Sequence, residues 1–327
     1  MQTNLRSKMR HLVKCGLGIT LSPFQRLLLQ DRLTTFCFHD VTDTPSEFAR
    51  KNNIFVTKNT FIQQVEYIKR RFNVISIDQL IEVESPTCAA LITFDDGFKS
   101  YFRTAVPILE RNQLPSINFV NMAPIIEPTL WGVGLACYLL EKDSRFLPFL
   151  ESRRSSLNIN RKAPFLSCRE EIVSDFLETH LNIDPELVKN YYGPLAEKSD
   201  LKVADGNQLV SFGNHLYNHE VSKLLSDQEL SDSYLRNQEA LSEFTSVRQV
   251  FAFPFGVPGT SYDDAQIELI LKLGAKLVFT ARPCLKKIEN QRVIGRVAFN
   301  ESENSIEQMI YRTLVGTVLN GLTPSSD

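Results

Sequence analysis

Apolar positions along this chain recur alternately with the period of a strand and the period of a helix. Leu33-Thr-Thr-Phe-Cys-Phe38 is rich in β-branched and aromatic residues and reads as a strand, which delivers His39-Asp40 into a polar loop, Thr42–Ser46. Phe61, Val65 and Ile68 then fall at helical spacing, and Asn73-Val-Ile-Ser76 reads as a second strand. The apolar run Ala89–Phe94 predicts a buried strand that stops at Asp95-Asp96-Gly97. Tyr101–Asn112 predicts a helix with Tyr101, Ala105, Ile108 and Leu109 on one face; Pro107 should kink it or sit near its first turn. Ser116–Val120 is a fourth strand. Such alternation implies parallel strands with helices packed outside, an open sheet or a barrel.

From about residue 124 to 205 the rhythm breaks. Leu130–Leu140, Ser167–Leu181 and Asp184–Leu195 read as helices with no strand between them, so the segment is expected to be a helical insertion between two barrel strands. Strands resume at Gln208–Phe212, which delivers His215 and His219, and at Val250–Phe253, which Pro254-Phe255-Gly256 stops. Helices are expected over Asp227–Phe244 and from Ser261 to Leu273, then strands at Lys276–Thr280 and Val293–Phe299, and a last amphipathic helix over Ile306–Leu319. The expected division is an N-terminal helical segment, 1–30, and an α/β domain, 31–327, carrying the insertion.

Composition narrows the class. The chain has 327 residues, 43% of them apolar, and a formal charge of −2, so it is an ordinary globular chain large enough for one big domain. Lys and Arg are spread rather than clustered, which argues against nucleic acid as a partner. Six cysteines are scattered with no Cys-x-x-Cys pair, as suits free thiols in a reducing compartment. No run reaches the roughly 18 apolar residues of a membrane span, and the basic start (Arg6, Lys8, Arg10) is not followed by a continuous apolar stretch. A cytoplasmic protein is expected; the Leu12–Leu29 segment would pack on the body or lie on a membrane surface.

Candidate chemistry lies at strand ends. Asp95 and Asp96 are adjacent, and consecutive strand residues point to opposite faces, so they share a site only if the chain bends where Gly97 permits it. Two such carboxylates repel, and a divalent cation is the usual remedy. A bare Asp-Asp-Gly also serves as a simple turn. Of five histidines, His215 and His219 are four apart, a spacing that stacks two imidazoles on one face if the segment turns helically. One carboxylate and two histidines make three protein ligands and leave a coordination position open, an arrangement of catalytic rather than structural metal sites.

Thr93-Phe-Asp95-Asp96-Gly97, then His215-x-x-x-His219, then Phe253-Pro254-Phe255-Gly256 resemble, in order, the first three motifs of the NodB-homology polysaccharide deacetylases, carbohydrate esterase family 4. The resemblance spans about residues 33 to 300, apart from the insertion. It implies a distorted, incomplete (β/α) barrel and a metal-dependent hydrolase that removes an N-acetyl group from an amino sugar in a polysaccharide or glycan precursor. It also implies a divalent ion, zinc first, held by Asp96, His215 and His219. Asp95 would be the general base, and the backbone N–H of Phe255 would help to stabilise the oxyanion.

The chain departs from that pattern at three points. Leu216 stands where Ser or Thr follows the first histidine, and Ala252 stands where an arginine orients the base. The late Leu-x-His motif is absent, since no histidine follows His219. Arg296 is the candidate to supply the missing positive charge. His39, at the end of the first strand, is the candidate acid, because some exopolysaccharide deacetylases of this family look similar in using an early histidine; Asp40 could keep it protonated. Trp131 is a candidate for stacking on sugar rings, against the alternative of a core tryptophan. Two other readings stand beside the hydrolase: a degenerate member that binds carbohydrate without cleaving it, and a non-haem iron oxygenase, since two histidines and a carboxylate also suit Fe(II).

Overall fold

Every pairing in the main sheet is parallel, as the alternation of strands and helices requires. The computed structural model describes residues 29, 32–82, 87–153, 163–180, 183–282 and 292–301. The strands are β1 (Thr34–Phe38), β2 (Asp40–Val41), β3 (Phe55–Val56), β4 (Asn73–Val74), β5 (Ala89–Phe94), β6 (Ser116–Val120), β7 (Val210–Asn214), β8 (Val247–Ala252), β9 (Leu277–Thr280), β10 (Val293–Gly295) and β11 (Val297–Ala298). The main sheet runs β10-β9-β8-β7-β6-β5-β1-β11, with β4 also on β5; β2 and β3 form a separate pair.

The two ends of that order are one stretch of chain. β10 pairs with β9 and β11 pairs with β1, and Arg296 alone separates them. The Val293–Phe299 run, expected as a single strand, is thus broken so that each half pairs with a different edge, drawing the sheet into a nearly closed, distorted (β/α) barrel. Arg296 N–H donates to Thr280 O on one edge and Phe299 N–H to Cys37 O on the other.

Side-chain parity then sorts inside from outside. Ala89 and Leu91 of β5, Ile117 and Phe119 of β6, Val250 and Ala252 of β8, Leu277 and Phe279 of β9 and Ile294 of β10 form one apolar cluster, the barrel interior. Phe119 and Phe279 meet there at 5.1 Å from strands that are not neighbours. The opposite parity, including Phe36, Phe38, Ala90, Ile92, Phe94 and Phe212, packs against the outer helices Lys58–Arg71 and Val106–Asn112.

Pro107 sits in the first turn of Val106–Asn112, where its missing N–H costs nothing, and a π-helical turn, Tyr101–Ala105, leads into that helix. The helix expected to open at Ser261 instead starts after Asp263, whose carboxylate forms a capping box with Gln266; Ser261 Oγ accepts from Val257 N. The Asp227 helix has the Ser226/Glu229 box and ends at Leu241, three residues short of the expected Phe244.

Between β6 and β7 the described chain forms helices at Ala123–Ile126, Gly132–Lys142, Phe146–Ser152, Glu170–Thr179, Pro185–Tyr192 and Lys198–Ala204. They feed two cores. Residues from Trp131 to Tyr192 build a cluster of their own with Phe48 and Phe98, whereas Ala196, Leu201 and Ala204 join the barrel's outer layer. Gly134 lets the helix pair 132–142 and 185–192 touch: a Cβ there would lie 2.4 Å from the Tyr192 ring. The expected N-terminal segment (Leu29 apart) and the final helix lie outside the described residues.

Candidate active site

The interior parity of each strand, continued one or two residues past its C-terminal end, supplies the polar groups at the barrel mouth. On β5 the series Ala89, Leu91, Thr93 leads to Asp95; on β1, Thr35 and Cys37 lead to His39; on β7, Ser211 and Gly213 lead to His215; and Ile294 leads to Arg296. Asp96 has the wrong parity, and its backbone corrects this. Its φ is +71°, followed by +68° at Gly97, so the left-handed bend begins on the aspartate itself, one residue before the glycine. Aspartate tolerates that region better than most residues because its short polar side chain bonds locally.

Asp96, His215 and His219 converge although no helix joins the two histidines. Leu216 and His219 both have positive φ, and the rings meet edge to face at 5.0 Å. Asp96 Oδ1 lies 3.4 Å from His215 Nε2 and 3.0 Å from His219 Nε2. His215 Nδ1 is 2.7 Å from the Ala252 carbonyl. A carbonyl can only accept, so Nδ1 carries the proton and Nε2 presents a lone pair toward a carboxylate oxygen that has no well-aimed donor of its own. Buried acceptors facing one another are what a cation reconciles, and the three ligand atoms lie within 4.8 Å of one another. Burial works against the Asp96 charge; positive charge at His219 and His215, as imidazolium or as a cation shared with them, holds its carboxyl well below the usual range.

The loop that carries the histidines is tied without the hydroxyl that Leu216 replaces. Leu216 N–H donates to Asn214 Oδ1 (3.0 Å), and Asn121 Nδ2 donates to the carbonyls of His215 and Leu216. Asn237 locks this arrangement by donating to Asn214 Oδ1 and to Val120 O, both at 2.9 Å, while accepting from Met122 N. The Leu216 side chain is buried in the core under this loop. Sequence reading missed this asparagine network; its one signal was an asparagine just past β6 and another just before His215.

Asp95 has a different partner. Arg296 grips it from both nitrogens, Nη1 to Oδ1 at 2.6 Å and Nη2 to Oδ2 at 2.7 Å, with both groups buried. The guanidinium outweighs burial and keeps the Asp95 carboxyl low. The break between β10 and β11 thus delivers to Asp95 the arginine that Ala252, at the end of β8, does not supply. Cys37 Sγ, not singled out from sequence, lies 3.6 Å from Asp95 Oδ2, and burial pushes its thiol far up, which makes it an inert neighbour.

His39 Nε2 stands 3.9 Å from Asp95 Oδ2. Burial lowers its pKa, while Asp96 and Asp95 pull the other way. Asp40, expected to support His39, faces Ser100 instead, accepting from Ser100 Oγ at 2.6 Å. That expectation is corrected: β2 begins at Asp40, and its parity turns the side chain away from the barrel mouth.

Phe255 has φ +60° in a three-residue turn closed by Gly256 N–H to Pro254 O at 2.6 Å. Its ring packs on His219 at 4.7 Å and on Phe165 at 5.5 Å. A Cβ on Gly256 would sit 2.5 Å from Ala281 N, so the position admits glycine alone. Trp131 is fully buried, with edge-to-face contacts to Phe48, Phe98, Tyr192 and His219. It also lines the cavity of about 330 Å³ that holds His39, Asp95, Asp96, His215, His219 and Arg296.

No protein-family model matches the chain, and no curated protein is detectably similar in sequence. Solved structures are similar in fold. The Streptococcus pyogenes deacetylase PplD in complex with acetate is 16% identical with a TM-score of 0.54, over 90% of this chain and 100% of that one. A de-N-acetylase from Aggregatibacter actinomycetemcomitans is 16% identical, TM-score 0.54, over 89% and 100%. BC0361, a polysaccharide deacetylase from Bacillus cereus, is 13% identical, TM-score 0.55, over 87% and 69%. At these identities the likeness concerns the backbone, and the chain carries the distorted (β/α) barrel fold of the solved polysaccharide deacetylases.

Proposed function

We propose that the protein is a metal-dependent hydrolase of the NodB-homology type that cleaves the amide of an N-acylated amino sugar, with the acetyl amide of a polysaccharide or glycan precursor as the reference substrate. The observation that carries this reading is the division of labour between adjacent carboxylates: Asp96 faces two imidazole nitrogens, while Asp95 is gripped by a guanidinium. Asp96, His215 and His219 would hold a divalent ion, zinc by its preference for nitrogen and carboxylate ligands, and that ion would polarise the acyl carbonyl and acidify the attacking water.

This chain's own groups do the rest. Asp95, kept ionised by Arg296, takes the proton from the attacking water; Arg296 fixes the carboxylate plane. The Phe255 N–H donates to the oxygen that becomes negative in the tetrahedral intermediate. His39 gives a proton to the leaving amine; burial lowers its pKa, and the carboxylates of Asp96 and Asp95 favour the protonated form that the step needs. Arg296 also removes the main support for a carbohydrate-binding member without catalysis, because the positive charge lost at Ala252 is restored. A carboxylate held as a base beside the ligand triad serves hydrolysis and has no task in an oxygenase.

The helical segment would cap the site, and the protein would act in a reducing compartment, in keeping with the thiols of Cys37, Cys137 and Cys168, which form no disulfide. Among the described residues no helix is long and apolar enough to cross a membrane. The test is acetate release from N-acetylated oligosaccharides with and without chelator. Release that the chelator abolishes and added zinc restores is the expected result; oxygen uptake in its place, or no release with full metal loading, overturns the reading.

A further inference from the structure

The cavity in front of the carboxylates has two unlike walls. One is the polar barrel mouth. The other, drawn from Phe48, Trp131, Val133, Cys137, Phe165 and Leu166, is apolar. Among the described residues the polar side-chain groups on that side are the Asn52 carboxamide, whose Nδ2 already donates to Phe48 O, and the Trp131 indole N–H, which is buried with no partner among them. The walls adjoin, because Trp131 and Phe255 pack directly on the His219 ring.

A sugar ring placed against the apolar wall would bring hydroxyls that need partners, and two groups cannot satisfy them. The cavity of about 330 Å³ spans both walls, so with an amide carbonyl at the barrel mouth the acyl group is the part of the substrate that faces the apolar wall, and an acetyl methyl would cover little of the surface from Phe48 to Leu166. A linear acyl chain needs no hydrogen bonds and fills a space of this shape, with its carbonyl at the barrel mouth and the Trp131 N–H left for a single substrate acceptor.

We infer that the apolar wall is an acyl-chain pocket, and that the preferred substrate is an amino sugar whose amide carries a chain longer than acetyl. This rests on the hydrolase reading above and specifies its substrate class. The reaction is ordinary amide hydrolysis: the oxygen of water bonds to the acyl carbon, the C–N bond breaks, one proton of the water goes to the leaving nitrogen, and the acid leaves as a carboxylate whose proton passes to the free amine or to solvent.

The experiment uses the full chain loaded with zinc and a series of N-acetyl, N-butanoyl, N-hexanoyl and N-octanoyl glucosamine disaccharides. Free amine is read for activity, and fluorescence is read for binding, since Trp131 is the only tryptophan of the sequence and lies in the pocket wall. The expected kcat/KM rises about fourfold per methylene as far as hexanoyl, and half-saturation of the fluorescence change falls at least tenfold from acetyl to hexanoyl. Cys137→Phe, which narrows the apolar side, lowers the hexanoyl-to-acetyl activity ratio tenfold or more, and a ratio is insensitive to the fraction of folded protein. Acetyl as the best substrate, or an unmoved ratio in Cys137→Phe, overturns this inference and leaves the hydrolase reading standing. Tight hexanoyl binding with no amine released overturns the hydrolase reading and keeps the acyl pocket; neither binding nor release overturns both.

Discussion

The two walls of the cavity are built by different rules. The barrel wall takes its side chains from strand ends, where a period of two and a shared parity aim His39, Asp95, His215 and Arg296 at one point. The opposite wall comes from the helices after β6 together with Phe48, whose shared cluster is separate from the barrel core. The first wall is held by polar pairings: Arg296 on Asp95, the Ala252 carbonyl on His215, asparagines under the histidine loop. The other is held by aromatic edges. Chemistry is therefore expected to fail when the first wall is altered, and selectivity or stability when the second is.

The largest break in that contrast is His219→Ala. Metal analysis should find zinc reduced to a small fraction of one equivalent, and acetate release should fall to background; a variant that keeps its full equivalent would mean the ion sits elsewhere. Arg296→Met comes next, since it strands the buried Asp95 charge and should cost about 3–5 kcal/mol in denaturant unfolding, beyond its effect on turnover. An unfolding midpoint like the parent's would show that the pair does not hold the barrel seam.

On the other wall, Trp131→Ala should cost about 3 kcal/mol or more through the cavity it leaves and also weaken substrate binding. Lost stability with unchanged affinity would reduce Trp131 to a core residue. The smallest of these effects is His39→Gln, for which turnover should drop about 10²-fold while metal content stays at one equivalent. Lost metal would make His39 a ligand, and unchanged turnover would remove it from the reaction.

The strand ends were legible because parity is local. Phe36 and Phe38 outward force Cys37 and His39 inward, and Ala89 and Leu91 inward carry Asp95 with them. The helix start at Asp227, the place of Pro107 in a first turn and most helix positions between β6 and β7 follow from equally local signals. The two-residue strands β2 and β3 were missed because two residues show no period, and so the direction of Asp40 was missed with them.

The sequence by itself determined the alternation of strands and helices, the interruption after β6, and which side chains stand at strand ends, because each depends on neighbours within a few residues. Tertiary structure alone decided the rest. Nothing near Arg296 says that its strand is broken between two sheet edges, β1 and β9, that lie far apart along the chain, or that its guanidinium meets Asp95. Nor does Asn237 announce that it braces a loop from the next helix. Such contacts arise only when the sheet closes, since it is closure that brings groups distant along the chain within hydrogen-bond range and out of water.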